Sequence, residues 1–355
     1  MFKHLVRVLV TIQGLLFFIP MAYAQSTILD LPRASQHAVV TQRIGITDVS
    51  INYHRPLVNK RKIWGSVVPY GDVWRAGANE NTTIAFSDPV NIEGKTLPKG
   101  TYGLHMIPGE NEWTVIFSRN STSWGSFTYD QKEDALRVAV KPQSAEFHEA
   151  LTYDFDDVKP DSSTVTLRWE KVAVPFKVAV NLNDVVQQSL NQQLRGLSQY
   201  TWFGWDDAAT YLVDNKGNLD EALKYSNKSI ENEERYENLF TKSRILDAMG
   251  RKDEATAAQN KALAKANAIQ LHTYARQLQN EGKQAEAITI FRDNAKKNPD
   301  QWIVHVGLSR MYSAQGDFAN ASKEMNTAIT TAPDTQKQPL QSLAKRLQAK
   351  EDINK

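Results

Sequence analysis

The chain has 355 residues, with 42 basic and 40 acidic side chains mixed along its length, so no electrostatic pull draws it to nucleic acid or anionic lipid. The absence of cysteine excludes disulfides, thiolate metal sites and attachment through a lipidated cysteine. A chain of this size accommodates two domains, each able to bury its own core.

Residues 1–24 stand apart. Lys3, His4 and Arg7 precede an apolar run from Val8 to Ile19, followed by Pro20 and by Ala22-Tyr23-Ala24, the small-x-small pattern of a signal-peptidase site. The run falls short of the roughly 20 residues that span a bilayer. It therefore reads as an export signal, with Gln25 as the mature N-terminus, a periplasmic or extracellular destination, and no membrane span once the signal is removed.

Residues 30–180 carry short alternating runs rich in Val, Ile, Thr and aromatics: AVVTQRIG, ITDVSINYH, TTIAFS, GTYGLHMI, EWTVIFS, ALRVAV, HEALTYDF and STVTLRWEKV. Turn signals such as Glu93-Gly94-Lys95 and Pro108-Gly109 separate them. The pattern predicts an all-β antiparallel sandwich or barrel. In EWTVIFS, Trp113, Val115 and Phe117 fall on one face and Thr114 and Ile116 on the other, which predicts a single core-facing side.

At Asn181 the period changes to helical. Val186, Leu190, Leu194 and Leu197 predict a linker helix within 181–200, with Asn183 as its N-cap. Over 201–334 a repeat has a definite register: Gly217, Gly250, Gly282 and Gly316 recur at near-constant spacing, each followed five positions later by Ala222, Ala255, Ala287 or Ala321. This resembles the tetratricopeptide repeat, and implies about four helical hairpins forming an all-α superhelix. In that pattern glycine ends each first helix in a conformation side chains disfavour, and alanine lets the second helix pack closely. Leu212, Leu246, Leu278 and Leu308 are the predicted inter-repeat core. Pro299 and Pro333 close the later units, while Glu234 and Asn267 stand there in the earlier ones, which predicts that those units pack more loosely or act as caps. Residues 335–355 read as a capping helix with a frayed tail.

The densest stretch is IWGSVVPYGDVWRAGANENTTIAFS, from Ile63 to Ser87. Together with GITDVSINYHRP, LPKGTYGLHMIP, EWTVIFS and WGSF it resembles the exported bacterial domain family DUF2911, whose activity is not established. The most specific part is Trp74 to Glu80. The resemblance names the domain and agrees with a following repeat array, but implies no chemistry.

Candidate ligand-binding residues in this region are Arg55, Trp64, Arg75, Asn79, Glu80 and Trp124. A guanidinium beside tryptophan can stack on a sugar or grip a carboxylate, or it can simply brace its loop by pairing with Glu80 and loop carbonyls. Trp64-Gly65-Ser66 recurs as Trp124-Gly125-Ser126, and the two tryptophans can form a stacking platform or a core rim. The histidines show no ligand spacing, Asp154, Asp156 and Asp157 lack the rest of a calcium loop, and neither Trp-Gly-Ser serine lies in a nucleophile elbow. No metal, cofactor or complete catalytic set is expected. On the repeats, Asn238, Arg244, His272, Arg276, His305 and Arg310 are candidate groove residues for a protein or peptide. The reading is an exported, non-catalytic scaffold of the cell envelope. The alternative is a glycan-binding module or glycan-active enzyme centred on Arg75 and Glu80.

Overall fold

A computed structural model describes residues 32–354, and the export signal expected at 1–24 lies outside them. The chain divides into two compact units between Asn181 and Leu182.

The first unit is built of β-strands, with one 3-10 turn at Gln131–Glu133. Its strands are β1 (Gln36–Ile44), β2 (Thr47–Arg55), β3 (Thr83–Phe86), β4 (Val90–Ile92), β5 (Lys95–Leu97), β6 (Gly100–Ile107), β7 (Trp113–Ser118), β8 (Asp134–Val140), β9 (Gln143–Asp156) and β10 (Ser162–Ala179). All pairings are antiparallel, in a six-stranded sheet ordered β1-β2-β3-β6-β7-β8 and a four-stranded sheet ordered β5-β4-β10-β9. The sheets meet face to face, as edge-on contacts between Tyr53 and Tyr153 and between Phe117 and Phe176 show. Four indoles, Trp64, Trp74, Trp113 and Trp169, pack mutually with centroid separations of 5.0 to 6.0 Å.

The expectation of one buried side on β7 needs correction. Ile116 and Ser118 are as buried as Val115 and Phe117. Their outward face, which also presents His105 from β6 opposite Ile116, lies beneath the loop joining β7 to β8. That covered outward face is where polar groups collect. The acidic cluster Asp154, Asp156 and Asp157 lies at the solvated end of β9, the edge strand of its sheet, where Arg168 of β10 reaches Asp154 at 3.1 Å and Asp156 at 2.6 Å.

The second unit begins with α1 (Leu182–Gln193). Asn183 lies inside its first turn rather than at its cap, and Leu197, beyond the end of the helix, is 86% exposed. Next come the hairpins α2/α3 (Trp202–Asp214, Leu219–Asn232), α4/α5 (Tyr236–Ala248, Lys252–Lys265), α6/α7 (Ala268–Asn280, Gln284–Lys297) and α8/α9 (Trp302–Ala314, Phe318–Thr331), then α10 (Asp334–Gln348). Ala222, Ala255, Ala287 and Ala321 are all buried, as are Leu212, Leu246 and Leu278, while Leu308 is partly so. Gly250, Gly282 and Gly316 take left-handed φ near +77°. In the first hairpin Lys216 takes that conformation instead, and Gly217 provides room, since a Cβ there would lie 2.9 Å from Leu212 Cδ2. The units without proline are not loose. Asn267 caps α6 through Gln270, and Glu234 pairs with Lys261 and with Lys265. Nor does the tail fray: Ile353 is only 3% exposed and joins the core of α8, α9 and α10.

Candidate functional site

Polar side chains gather in each of the two units. In the first, the long connection from β2 to β3 is pinned to β6 where Trp74 and Met106 exchange main-chain hydrogen bonds of 2.8 Å. Beyond Trp74 the chain turns tightly, with Ala76 and Asn79 at left-handed φ of 48° and 57°. Internal bonds hold that shape. Ala76 O accepts from Tyr153 OH at 2.9 Å and from Thr82 Oγ1, and Gly77 O accepts from Trp74 Nε1.

Arg75 projects from this turn and donates to Asn79 O at 2.5 Å. Among the described residues no carboxylate pairs with it directly. Its guanidinium lies 5.4 Å from the Trp124 ring and 5.6 Å from the Phe127 ring, and those two rings are stacked at 10° with centroids 6.0 Å apart. Gly125 makes this possible: its φ is +74°, and a Cβ on it would lie 2.6 Å from an Arg75 nitrogen. Trp124 is 57% exposed and Phe127 79%. Burial lowers the Arg75 pKa, with Glu80 acting in the opposite direction.

Glu80 does not bond Arg75. It pairs with Arg33 at 2.5 Å and approaches His54 Nε2 at 3.4 Å, beside an open cleft of about 440 Å³ that Ser35, Gln36 and His37 also line. Burial disfavours the ionised carboxyl, but the Arg33 hydrogen bond, its own backbone amide and the His54 and Arg33 charges outweigh this, so its pKa stays below the ordinary range. Burial also lowers the His54 pKa, helped by His37 and Arg33 and opposed by Glu80.

Under the β7–β8 loop, His105 Nδ1 meets Ser126 Oγ at 2.9 Å and its ring packs on Tyr129, which donates to Asp134 while Arg137 bonds both. Burial drives His105 down to about 4, against Asp134, which raises it, and with Arg75, which lowers it further. His105 and Ser126 therefore form a partly buried pair, beside an Asp134 whose Oδ2 is taken by Tyr129 and Arg137 and whose Oδ1 is buried without a hydrogen-bond partner.

The six expected ligand residues therefore separate. Arg75, Asn79 and Glu80 lie on the β2–β3 connection, where Arg75 meets Trp124 of the β7–β8 loop while Glu80 turns to Arg33 and His54. Arg55 is turned to β9, donating to Leu151 O and Thr152 Oγ1 as a strand brace. Trp64 belongs to the four-indole cluster, so the two Trp-Gly-Ser units form no joint platform. Phe127, Arg33 and His105 were not singled out from the sequence. Phe127 alone had a local signal, three residues after Trp124.

In the second unit Asn238 is not a groove residue: it is fully buried and ties Ser229, Glu233 and Arg235 together. His305 bonds Glu324 across its own hairpin at 2.7 Å. Arg244 pairs with Asp214 and lines an open cleft of about 420 Å³ between α4, α5 and α6, with Asp247, Gln259, Tyr274, Gln277 and Glu281. His272, Arg276 and Arg310 gather further along, on α6 and α8. Burial holds His272 down to about 3 and Arg310 down to about 10, each assisted by neighbouring guanidinium charge. Among the described residues no group of three or more His, Asp or Glu is placed to hold a metal, and no helix is long and apolar enough to cross a membrane.

Residues 35–178 match the family described as protein of unknown function (DUF2911), and residues 236–264, covering α4 and α5, match a tetratricopeptide repeat. The chain thus carries a DUF2911 domain followed by tetratricopeptide architecture. Among solved structures, similarity is found to the APC/C hetero-tetramer Cut9-Hcn1, at 13% identity over 47% of this chain and 34% of that one, with a TM-score of 0.31. It is also found to YrrB, a TPR protein with an unusual peptide-binding site, at 17% identity over 47% of this chain and 89% of that one, with a TM-score of 0.28. No curated protein matches the chain.

Proposed function

We propose that the protein is an exported, non-catalytic binding protein of the cell envelope, whose helical array holds a protein or peptide partner. The observation that carries this reading is the succession of four hairpins whose first helices repeat in register, with an open polar cleft between α4, α5 and α6. Such a surface is built from neighbouring repeats and offers extended contact rather than a reaction centre. The charged start, apolar run and Ala22-Tyr23-Ala24 of the sequence support export. Photo-crosslinking in the native host tests the reading, with the crosslinker placed at Gln277 in the cleft or at exposed Lys296 on α7. One identified protein joined from Gln277 alone, and lost with Arg244→Glu, is the expected result. Identical adducts from both positions refute it. N-terminal sequencing of the purified protein checks export, with Gln25 expected first.

A second reading is favoured by the exposed Trp124–Phe127 pair with Arg75 across it: this loop binds a glycan by stacking. Binding fits better than cleavage, because a general acid needs a raised pKa and that of Glu80 is lowered. Saturable quenching of tryptophan fluorescence by an oligosaccharide, abolished by Trp124→Ala, is its signature. A glycan panel without any saturable response removes it.

A further inference from the structure

After α10 the chain reverses. Lys350 adopts a left-handed φ of 55°, and Lys350 and Glu351 N–H groups bond back to Leu347 O and Arg346 O. Residues 352–354 then lie along the first helices of the preceding hairpins. Ile353 N–H donates to Ser313 Oγ at 3.0 Å, and Ile353 O accepts from Arg310 at 2.7 Å, so α8 side chains engage both main-chain groups of Ile353, in a turn closed by Asn354 N–H donating to Asp352 Oδ1. Asp352 Oδ1 accepts from Ser313 Oγ at 3.0 Å, while Arg346 donates to Asp352 O. Asn354 is read twice: its amide donates to Arg310 O at 2.9 Å, and its oxygen accepts from Arg276 of α6 at 3.2 Å. The Ile353 side chain enters the apolar core of the array.

This is the geometry of a bound peptide, in which main-chain groups give hold and three consecutive side chains give sequence preference. We propose that Asp352-Ile353-Asn354 is a self-ligand, occupying on α6, α8 and α10 the seat through which the array takes an acidic peptide of its partner, and giving way when that peptide binds. The inference rests on the reading of the helical array as a binding surface.

Two further observations support a seat made for more than the tail. Arg276, Arg310 and Arg346 converge on this short segment, and the charges of Arg276 and Arg346 lower the pKa of Arg310 beyond what its burial does, with Asp352 pulling the other way. In the same place Arg310 Nε and His272 Nδ1 are buried without a hydrogen-bond partner. An incoming peptide with a further carboxylate would satisfy the Arg310 Nε donor that the tail leaves unmet. A left-handed lysine at the turn also strains the reversal, which weakens the hold of the tail.

The test uses a fluorescein-labelled peptide of residues 349–355, followed by anisotropy. A chain ending at Gln348 should bind it saturably. The full chain should bind at least about tenfold more weakly, because its tethered copy competes at millimolar effective concentration. Arg310→Ala in the shortened chain should weaken binding about tenfold or more. A shortened chain that keeps its helical circular dichroism yet ignores the peptide overturns the proposal, as does equal binding by the full chain. Hydrogen exchange on the intact protein decides independently if the shortened chain does not fold. The Ile353 amide should exchange at least about 100-fold faster than interior amides of α8, through release of the tail alone. Protection equal to that of α8 makes the tail a fixed structural cap and overturns the proposal. Neither negative result bears on the Gln277 crosslink, which tests the underlying reading separately.

Discussion

Asp206 sits in α2 against α4, buried, with Oδ1 lacking a hydrogen-bond partner. Burial raises its pKa from 3.8 to about 6, reinforced by Asp207 and Glu237 and opposed by a Thr241 hydrogen bond and the Arg244 charge. The folded pKa lies above the unfolded one, so the folded state binds more protons between these values and stability falls as pH rises through that window. At pH 7 the folded chain bears the full cost of burying the charge, and the difference between 3.8 and about 6 puts its ceiling at about 3 kcal/mol. Asp206→Asn removes the charge and keeps an oxygen for Thr241. At roughly 2–4 °C per kcal/mol for a unit of this size, melting should rise by several degrees at pH 7. The gain should shrink toward pH 4, where the wild-type carboxyl is already protonated in the fold. Thermal unfolding followed at 222 nm over pH 4 to 8 measures this. A lower melting temperature at pH 7, or a gain independent of pH, would refute the reasoning.

His105 and His272 push the opposite way. Burial lowers their folded pKa values from 6.5 to about 4 and about 3, so their contribution is complete above pH 6.5 and is lost as pH falls below it. For His105 the loss by pH 4 reaches about 3 kcal/mol, and His105→Gln should flatten the acid limb of urea unfolding in the first unit. Gly125→Ala should cost about 1–2 kcal/mol, because it combines a left-handed backbone with a clash against Arg75, and it should shift tryptophan emission as the guanidinium leaves the rings. The two Trp-Gly-Ser units should separate cleanly on alanine substitution. Trp64→Ala should lose about 3–5 kcal/mol from the indole cluster, and Trp124→Ala no more than about 1, as read from urea midpoints.

The eight long strand runs and the repeat register were legible because both depend on local periodicity. Val115 and Phe117 face inward wherever β7 is placed, and Ala222 or Ala287 must be small wherever two helices cross. The short strands β4 and β5 lie in a stretch that reads as turns, and pairing with β10 makes β4 a strand. The candidate site was harder to read because its partners are distant in sequence. Glu80 is paired by Arg33, and Arg75 is flanked by Trp124 and Phe127. Identical Trp-Gly-Ser triplets share the same left-handed glycine yet have opposite fates. Trp64 stands where two sheets close over it, whereas Trp124 rides on a connection between neighbouring strands. The burial of Ile353 was invisible for a related reason: its cover comes from α8, some forty residues earlier.

The indole cluster gives the first unit an optical identity. The chain has eight tryptophans, and Trp64 lies edge-on to Trp74, Trp113 and Trp169 while Trp74 and Trp169 stack, all at 5.0 to 6.0 Å, close enough for their electronic transitions to couple. Coupled chromophores in fixed chiral array produce strong bands in near-ultraviolet circular dichroism, and those bands vanish when the array loosens. In the helical unit Trp202 and Trp205 each meet a single non-indole ring, Phe203 and Tyr225, and among the described residues no two of its tryptophans pack together. The melting of one half of the molecule can therefore be watched by its dichroic colour while the other half is followed by its helices, with no label added.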